Sequence, residues 1–382
     1  MLVRTTILVN SRRNRIINYM YQPQYVISNQ ILKYIGGIEA CREVIASAPL
    51  VPAWEKKFQE DALVRQVHHG THLEGNALNI SEAAQVVAGQ SVIGRPRDIQ
   101  EVINYRNVID YIGRIVTVAR SKQHTAENTN ARLAIEITEE LIHKIHTLTT
   151  DHMLPPEKSG IFRTTQVVVK NSQTGDVTFR PPPPVEVPIL VRDFLAWLNQ
   201  NTNDVHPILV SGMTQYEFAR IHPYVDGNGR VARALATLVL YRDGYDIRRF
   251  FSLEEYYDSH AQGYYQALQS VVKNKGDQTK WLEYFAEGLA IELNRIKEKV
   301  QKLSVDIHMK ERLGGKQVFL SERQIKIIEH LQELGYLQNK MFTRLFPRSS
   351  EDTILRDLHE LMEQGIIVKK GSTKGARYVL KN

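Results

Sequence analysis

Residues 222–233 read His-Pro-Tyr-Val-Asp-Gly-Asn-Gly-Arg-Val-Ala-Arg. Within one short stretch this places an imidazole, a carboxylate, a Gly-Asn-Gly turn and two guanidiniums. Those are the parts needed to hold a polyphosphate, hold its metal and accept a proton. Gly227 and Gly229 carry no Cβ, so backbone N–H groups can converge on an anion. From Gly229 onward Val231, Leu235 and Leu238 repeat at helical spacing, which puts the turn at a helix N-terminus, where unpaired N–H groups favour phosphate. Arg230 and Arg233, three apart, share one helix face. Asp226 suits Mg²⁺, which takes hard oxygen ligands alongside substrate phosphates. His222 is the group able to act as a general base near neutral pH.

The elements that must position these groups are mostly helices. The spacing predicts helices over 131–147, 186–200, 207–221, 229–243 and 279–303. One β element is predicted: Phe162 to Val169, a polar turn from Lys170 to Asp176 containing Gly175, then Val177 to Phe179. Pro181 to Pro184 follow and force an extended connector. His68, His69 and His72 have a metal-like spacing, but zinc needs three or four convergent ligands, so a polar helix face is expected there. The same is expected of His143 and His146. Leu289, Leu293, Ile296, Val300, Leu303 and Ile307 form a short heptad seam, which suits the helical bundle or a homodimer partner equally.

At 382 residues the chain has room for two or three domains. Its 42% hydrophobic and 24% charged content are those of an ordinary globular protein. A single cysteine, Cys41, excludes an internal disulfide. It fits a reducing, cytoplasmic setting. No segment has the apolar length of a membrane helix, and Met1 to Asn10 lacks the small-residue cleavage site of a signal peptide. A net charge of +7 permits contact with nucleic acid without requiring it.

The dodecapeptide resembles the active-site motif of the Fic family, His-Pro-Phe-x-Asp/Glu-Gly-Asn-Gly-Arg-x-x-Arg, departing only at Tyr224. Asp98-Ile-Gln-Glu-Val with Asn104-Tyr105, and Trp281-Leu-Glu-Tyr-Phe, extend the resemblance over most of residues 20–290. It implies a mainly α fold, a Fic-type helical bundle with a β-hairpin flap. It also implies transfer of AMP from ATP, with Mg²⁺, to a hydroxyl side chain of a protein target, the chain itself included. On that reading His222 deprotonates the hydroxyl and Asp226 binds the metal. Gly227, Asn228 and Gly229 line the anion site, and Arg230 and Arg233 hold the outer phosphates. The flap strand ending at Val169 lies on the nucleotide side, and Tyr264 and Tyr265 line the adenine site. Thr71-His-Leu-Glu-Gly-Asn76 is similar to the family's inhibitory Ser/Thr-x-x-x-Glu-Gly/Asn segment, although the Ser/Thr position falls on Gly70. Glu74 would then pair with Arg233 in the place of the ATP γ-phosphate. Residues 1–115 are expected to form a helical extension carrying this segment and 116–313 the catalytic core.

Residues 316–382 read as a separate module: a capped helix from Leu320, a short helix near 340–345, a helix over 350–363 and a closing hairpin from Ile366. The pattern resembles a winged helix-turn-helix domain. The presumed recognition helix carries Glu351, Asp352, Asp357, Glu360 and Glu363 against Arg356 alone, and phosphate contact dominates DNA affinity. The wing (Lys369, Lys370, Lys374, Arg377) is basic. Protein docking or internal regulation therefore outranks DNA binding. The alternative overall reading is a transcription regulator whose core senses nucleotide and whose winged helix binds DNA. Such a sensor needs the anion site and arginines but no His222.

Overall fold

The computed structural model describes residues 21–48, 50, 52–123, 132–170, 177–200, 204–303, 320–347, 349–371 and 376–381. Its helices are α1 (Asn29–Ser47), α2 (Pro52–His72), α3 (Ile80–Val87), α4 (Pro96–Lys122), α5 (Glu139–Thr149), α6 (Val187–Gln200), α7 (Pro207–Ile221) and α8 (Asn228–Arg242). They continue as α9 (Leu253–Ser259), α10 (Ala261–Lys273), α11 (Thr279–Leu303), α12 (Glu322–Leu334), α13 (Phe342–Leu345) and α14 (Glu351–Glu363). Two antiparallel hairpins complete it: β1 (Val169–Lys170) with β2 (Val177–Phe179), and β3 (Ile367–Lys370) with β4 (Arg377–Leu380). The fold is mainly α, as expected.

Helices α7 and α8 are buried on nearly every face, the mark of a central rather than a surface helix. Polar ties set their place. Ser211 Oγ donates to the Ala236 carbonyl at 2.8 Å, and Trp281 Nε1 to the Gly212 carbonyl at 2.7 Å. The 289–300 seam on α11 packs inward, against α1: Leu289, Leu293, Ile296 and Val300 join Ile31, Ile38 and Ile45 in one core. Among the two options left by the spacing, the bundle takes this seam. The Leu303 side chain and Ile307 lie outside the described residues, as does the expected boundary at 313–316.

Several expected boundaries move for local reasons. α5 starts at Glu139 rather than 131, because the Thr138 side chain caps it. Asn199 brackets Ile137 with bonds of 3.0 and 2.9 Å, and Ile135 N–H turns back onto the Leu133 carbonyl at 2.8 Å, so the preceding residues are not helical. The long strand expected over 162–169 shrinks to Val169–Lys170. Its would-be partner is the Pro181–Pro184 run, which lacks N–H donors. Side chains close the gap instead: Gln166 Nε2 donates to Pro181 O at 3.0 Å and Arg163 Nη2 to Pro182 O at 2.6 Å. The turn at 171–176 lies outside the described residues. α4 runs unbroken across the expected division at 115/116.

Among the described residues of the C-terminal segment, α12, α13, α14 and the β3–β4 hairpin enclose a core of their own. Trp54, from the first turn of α2, is buried in that core, and Lys57 Nζ bonds both oxygens of Glu329 at 2.7 and 2.8 Å. The acidic face of α14 is partly neutralised from within, by Arg323 on the buried Asp357. Lys374, expected in a basic wing, lies outside the described residues. Among the described residues, no helix is long and apolar enough to cross a membrane.

Candidate active site

His222 sits at the C-cap of α7 with φ 52° and ψ 58°, a left-handed conformation that costs energy for a residue other than glycine. The cost is met by Arg163, a buried residue from the base of the first hairpin. Its Nε donates to the His222 carbonyl at 2.8 Å, and its backbone N–H to the Pro223 carbonyl at 2.9 Å. A cation at a helix C-terminus also opposes the dipole there. His222 Nδ1 lies 3.3 Å from the Ala219 carbonyl. A carbonyl only accepts, so Nδ1 carries the proton and Nε2 keeps a lone pair in the neutral ring. Burial, the largest influence, holds the ring's pKa below the ordinary imidazole value, although the Ala219 carbonyl and the Glu74 and Asp226 carboxylates pull it upward.

The loop then turns into α8 through Gly227, at φ 77°. Asn228 brackets Tyr224: its Oδ1 accepts the Tyr224 N–H and its Nδ2 donates to the Tyr224 carbonyl, each at 2.9 Å. The Asn228 side chain therefore closes the loop, and only its backbone N–H is left for an anion beside that of Gly229 at the start of α8. Tyr224 is fully buried. Its hydroxyl, the departure from the usual Phe, finds a partner in His143 Nδ1 at 2.8 Å.

Arg230 and Arg233 are both buried. Arg230 lies 3.6 Å from Glu101 and 3.9 Å from Asp226, and its Nε and Nη1 have no hydrogen-bond partner. Arg233 Nη2 donates to the Gly70 carbonyl and to Glu74 Oε1, each at 2.8 Å, while its Nε is unpaired. Buried guanidinium donors without partners are costly, and a polyphosphate would satisfy them. The Glu74 carboxylate lies over Gly229, so close that a Cβ on Gly229 would collide with its Oε1. A negative group thus already rests on the α8 N-terminus.

Asp226 Oδ1 accepts the Gly227 N–H at 2.6 Å, and Oδ2 accepts from Arg97 at 3.3 Å. Its side chain is 44% exposed. One accessible carboxylate fits Mg²⁺, which keeps few protein ligands beside substrate phosphates. Among the described residues no cluster of three or more His, Cys, Asp or Glu could hold a metal by itself.

The two tyrosines part company. Tyr264, expected to line the adenine site, is buried, its hydroxyl bonded to Gln215 at 3.2 Å and its ring stacked 4.7 Å from Tyr257. Tyr265 is 45% exposed and donates to the Leu73 carbonyl at 3.3 Å, beside Glu74. Val169 is half-buried in β1, paired with Phe179 and apart from the motif loop's bonds. The histidines expected on polar faces divide: His72 is exposed, and His69 and His143 are half-buried. His68 and His146 are buried, and His69 and His72 both reach Asp258, at 2.7 and 2.8 Å.

Residues 136–240 match the Fic/DOC family. The chain carries a Fic domain. It is 27% identical over 282 residues to the protein adenylyltransferase Fic of Culex quinquefasciatus, covering 72% of this chain and 50% of that one. The Drosophila grimshawi protein of the same name is 28% identical over 207 residues, 53% of this chain and 38% of its own. The chain therefore spans half or less of the length of these curated relatives. A Fic family protein from Desulfovibrio desulfuricans superposes with a TM-score of 0.61 at 21% identity, over 94% of this chain and 98% of that one. Fic-1 of C. elegans gives 0.55 at 24% identity, over 72% and 73%. These likenesses establish the Fic fold around the His222–Arg233 loop. Arg163 and Arg97 bond to the loop and were not singled out from the sequence, while His146, expected on a polar helix face, is buried against it. Arg163 is the residue following Phe162 in the first hairpin, the one local signal available.

Proposed function

We propose that this chain is a protein adenylyltransferase that moves AMP from ATP to a hydroxyl side chain of a target protein, restrained by Glu74. The observation that carries the reading is the grouping of an unprotonated His222 Nε2, the α8 N-terminus with the Glu74 carboxylate resting on it, and unpaired guanidinium donors of Arg230 and Arg233 around one Gly-Asn-Gly loop. In the reaction His222 Nε2 takes the hydroxyl proton as the oxygen bonds to the α-phosphorus; the α–β phosphoanhydride bond breaks, and pyrophosphate leaves. Backbone N–H groups at Asn228 and Gly229 stabilise the charge that develops on phosphate oxygens. Arg230 and Arg233 hold the outer phosphates. Mg²⁺, held by Asp226, would neutralise phosphate charge.

The Glu74–Arg233 pair supports restraint, because the carboxylate takes donors that the γ-phosphate would need. A pure nucleotide sensor would use the arginines without the base, so the poised His222 favours the enzyme. The winged helix-turn-helix reading of residues 316–382 is kept as part of this proposal, with protein docking or regulation as its role. The target is a protein, the chain itself among the candidates; a second copy and DNA are weaker partners. Incubation with labelled ATP, CTP, GTP or UTP plus Mg²⁺, followed by mass spectrometry of the chain and an added lysate, tests the reading. Adenylylated protein from ATP supports it. Absence of nucleotide transfer by both the parent and Glu74→Gly would overturn it.

A further inference from the structure

Beneath the motif loop lies a buried imidazole that the transfer chemistry does not use. His146, in the last turn of α5, has no exposed surface. Its Nδ1 is 2.8 Å from the Gly160 backbone nitrogen. A backbone N–H only donates, so Nδ1 is the acceptor and Nε2 carries the proton. Nε2 then donates to the Asp226 carbonyl at 3.1 Å. The ring stacks on Tyr224, 3.7 Å between centroids and 14° between planes, and Tyr224 is itself bracketed by Asn228. The imidazole has one orientation open to it.

The Asp226–Gly227 peptide carries that orientation onward. Its carbonyl is held by His146, and its N–H donates to Oδ1 of the Asp226 carboxylate at 2.6 Å. Turning this peptide would swing the carboxylate with it. α5 also supports the peptide from below: a Cβ on Gly227 would stand 3.2 Å from Thr150 Cγ2 and 3.3 Å from Thr149 Cγ2. With Oδ1 engaged, Oδ2 is the oxygen turned outward, where Arg97 reaches it at 3.3 Å.

We propose that His146 is a positioning residue that sets the plane of the Asp226 carboxylate and, through it, the affinity of the site for a divalent cation bound with nucleotide. The proposal rests on the reading of Asp226 as the metal residue. Two conservative substitutions divide its two bonds. His146→Gln can place an amide N–H where Nε2 lies and keep the Asp226 carbonyl. His146→Asn can place an oxygen where Nδ1 lies and keep the Gly160 N–H.

The test uses the full chain with a non-hydrolysable ATP analogue, titrated with Mn²⁺ and followed by electron paramagnetic resonance. Partners that orient a metal ligand typically contribute roughly 10–100-fold in affinity. The Mn²⁺ dissociation constant should rise by that factor in His146→Asn and stay near the parent's in His146→Gln, with metal-free nucleotide affinity unchanged in both. Equal Mn²⁺ affinity in the Asn and Gln variants, whether weakened or not, would overturn the positioning role and leave a core histidine. Asp226→Ala is the control: if it binds Mn²⁺ like the parent, the metal reading of Asp226 fails, and the proposal with it. Each variant of the pair keeps one native bond, so the comparison does not depend on whether His146→Ala folds.

Discussion

One nitrogen of Arg233, Nη2, is shared between the Gly70 carbonyl and the Glu74 carboxylate at 2.8 Å each. The end of α2 is thereby sealed onto the first turns of α8, and on the proposed function the seal covers donors that the nucleotide would need. A charge-assisted hydrogen bond contributes about 1.5–3 kcal/mol. Glu74→Gly should therefore raise the rate of self-modification by roughly ten- to a hundredfold at saturating ATP. Glu74→Gly with Arg233→Ala should lose the gain, since the phosphates lose the same guanidinium. Equal rates for parent and Glu74→Gly would remove Glu74 from regulation.

The departure of this chain at Gly70 has a steric cause. A Cβ there would collide with the ring of Tyr105, whose hydroxyl is fixed on buried Glu254 at 2.9 Å. Gly→Ala inside an exposed helix ordinarily gains about 1 kcal/mol. Gly70→Ala should instead lower the melting temperature and, by lifting the end of α2, raise labelling toward the Glu74→Gly rate. A melting temperature at or above the parent's would show that α2 has room to spare.

Burial sets the pH response of the base. It disfavours the imidazolium of His222, so the neutral, proton-accepting form persists as pH falls through the ordinary value of 6.5. The acid limb of kcat/KM should bend below pH 6.5. Glu74 favours the charged ring, so its removal should move the limb further toward acid. A limb at or above 6.5 in both chains would contradict this placement of the base.

What was legible in the sequence, and what was not, follows from how far each role depends on distant chain. The His222–Arg233 loop announces itself because glycine, imidazole and guanidinium at fixed spacing leave little else to do. Glu74 was legible through its own short motif, and its partner Arg233 with it. Tyr264 and Tyr265 were not separable: neighbours on a helix point about 100° apart, and only the packed bundle says which faces inward. Asn228 was expected to face an anion, but whether its amide turns out or back on Tyr224 is decided by the loop's closure. His146 and Arg163 act on the loop from 80 and 59 residues away, a separation that carries no periodic signal. The short β1 strand was over-read because the prolines opposite it replace a ladder by side-chain bonds.

The C-terminal module should be separable from catalysis but not from the comfort of α2. Every candidate site residue precedes Gly314, while Trp54 depends on the module for burial. Burying such a side chain stabilises by about 1.5–3 kcal/mol. A chain ending at Gly314 should therefore transfer AMP yet self-associate, and Trp54→Gln in that chain should restore a monodisperse profile on size-exclusion chromatography. Complete loss of labelling by a well-folded truncated chain would show that residues beyond 314 complete the site.

The most direct measurement compares Glu74→Gly with Glu74→Gly carrying His222→Ala, each incubated with ATP and Mg²⁺ and read by intact-protein mass spectrometry, with ATP affinity measured in parallel. General-base contributions are typically about 10²–10⁴-fold. Adenylylation should appear in the first and fall by at least that lower factor in the second, while both bind ATP alike. Labelling of the His222→Ala chain at the rate of its partner would contradict the assignment of His222 as the base for AMP transfer.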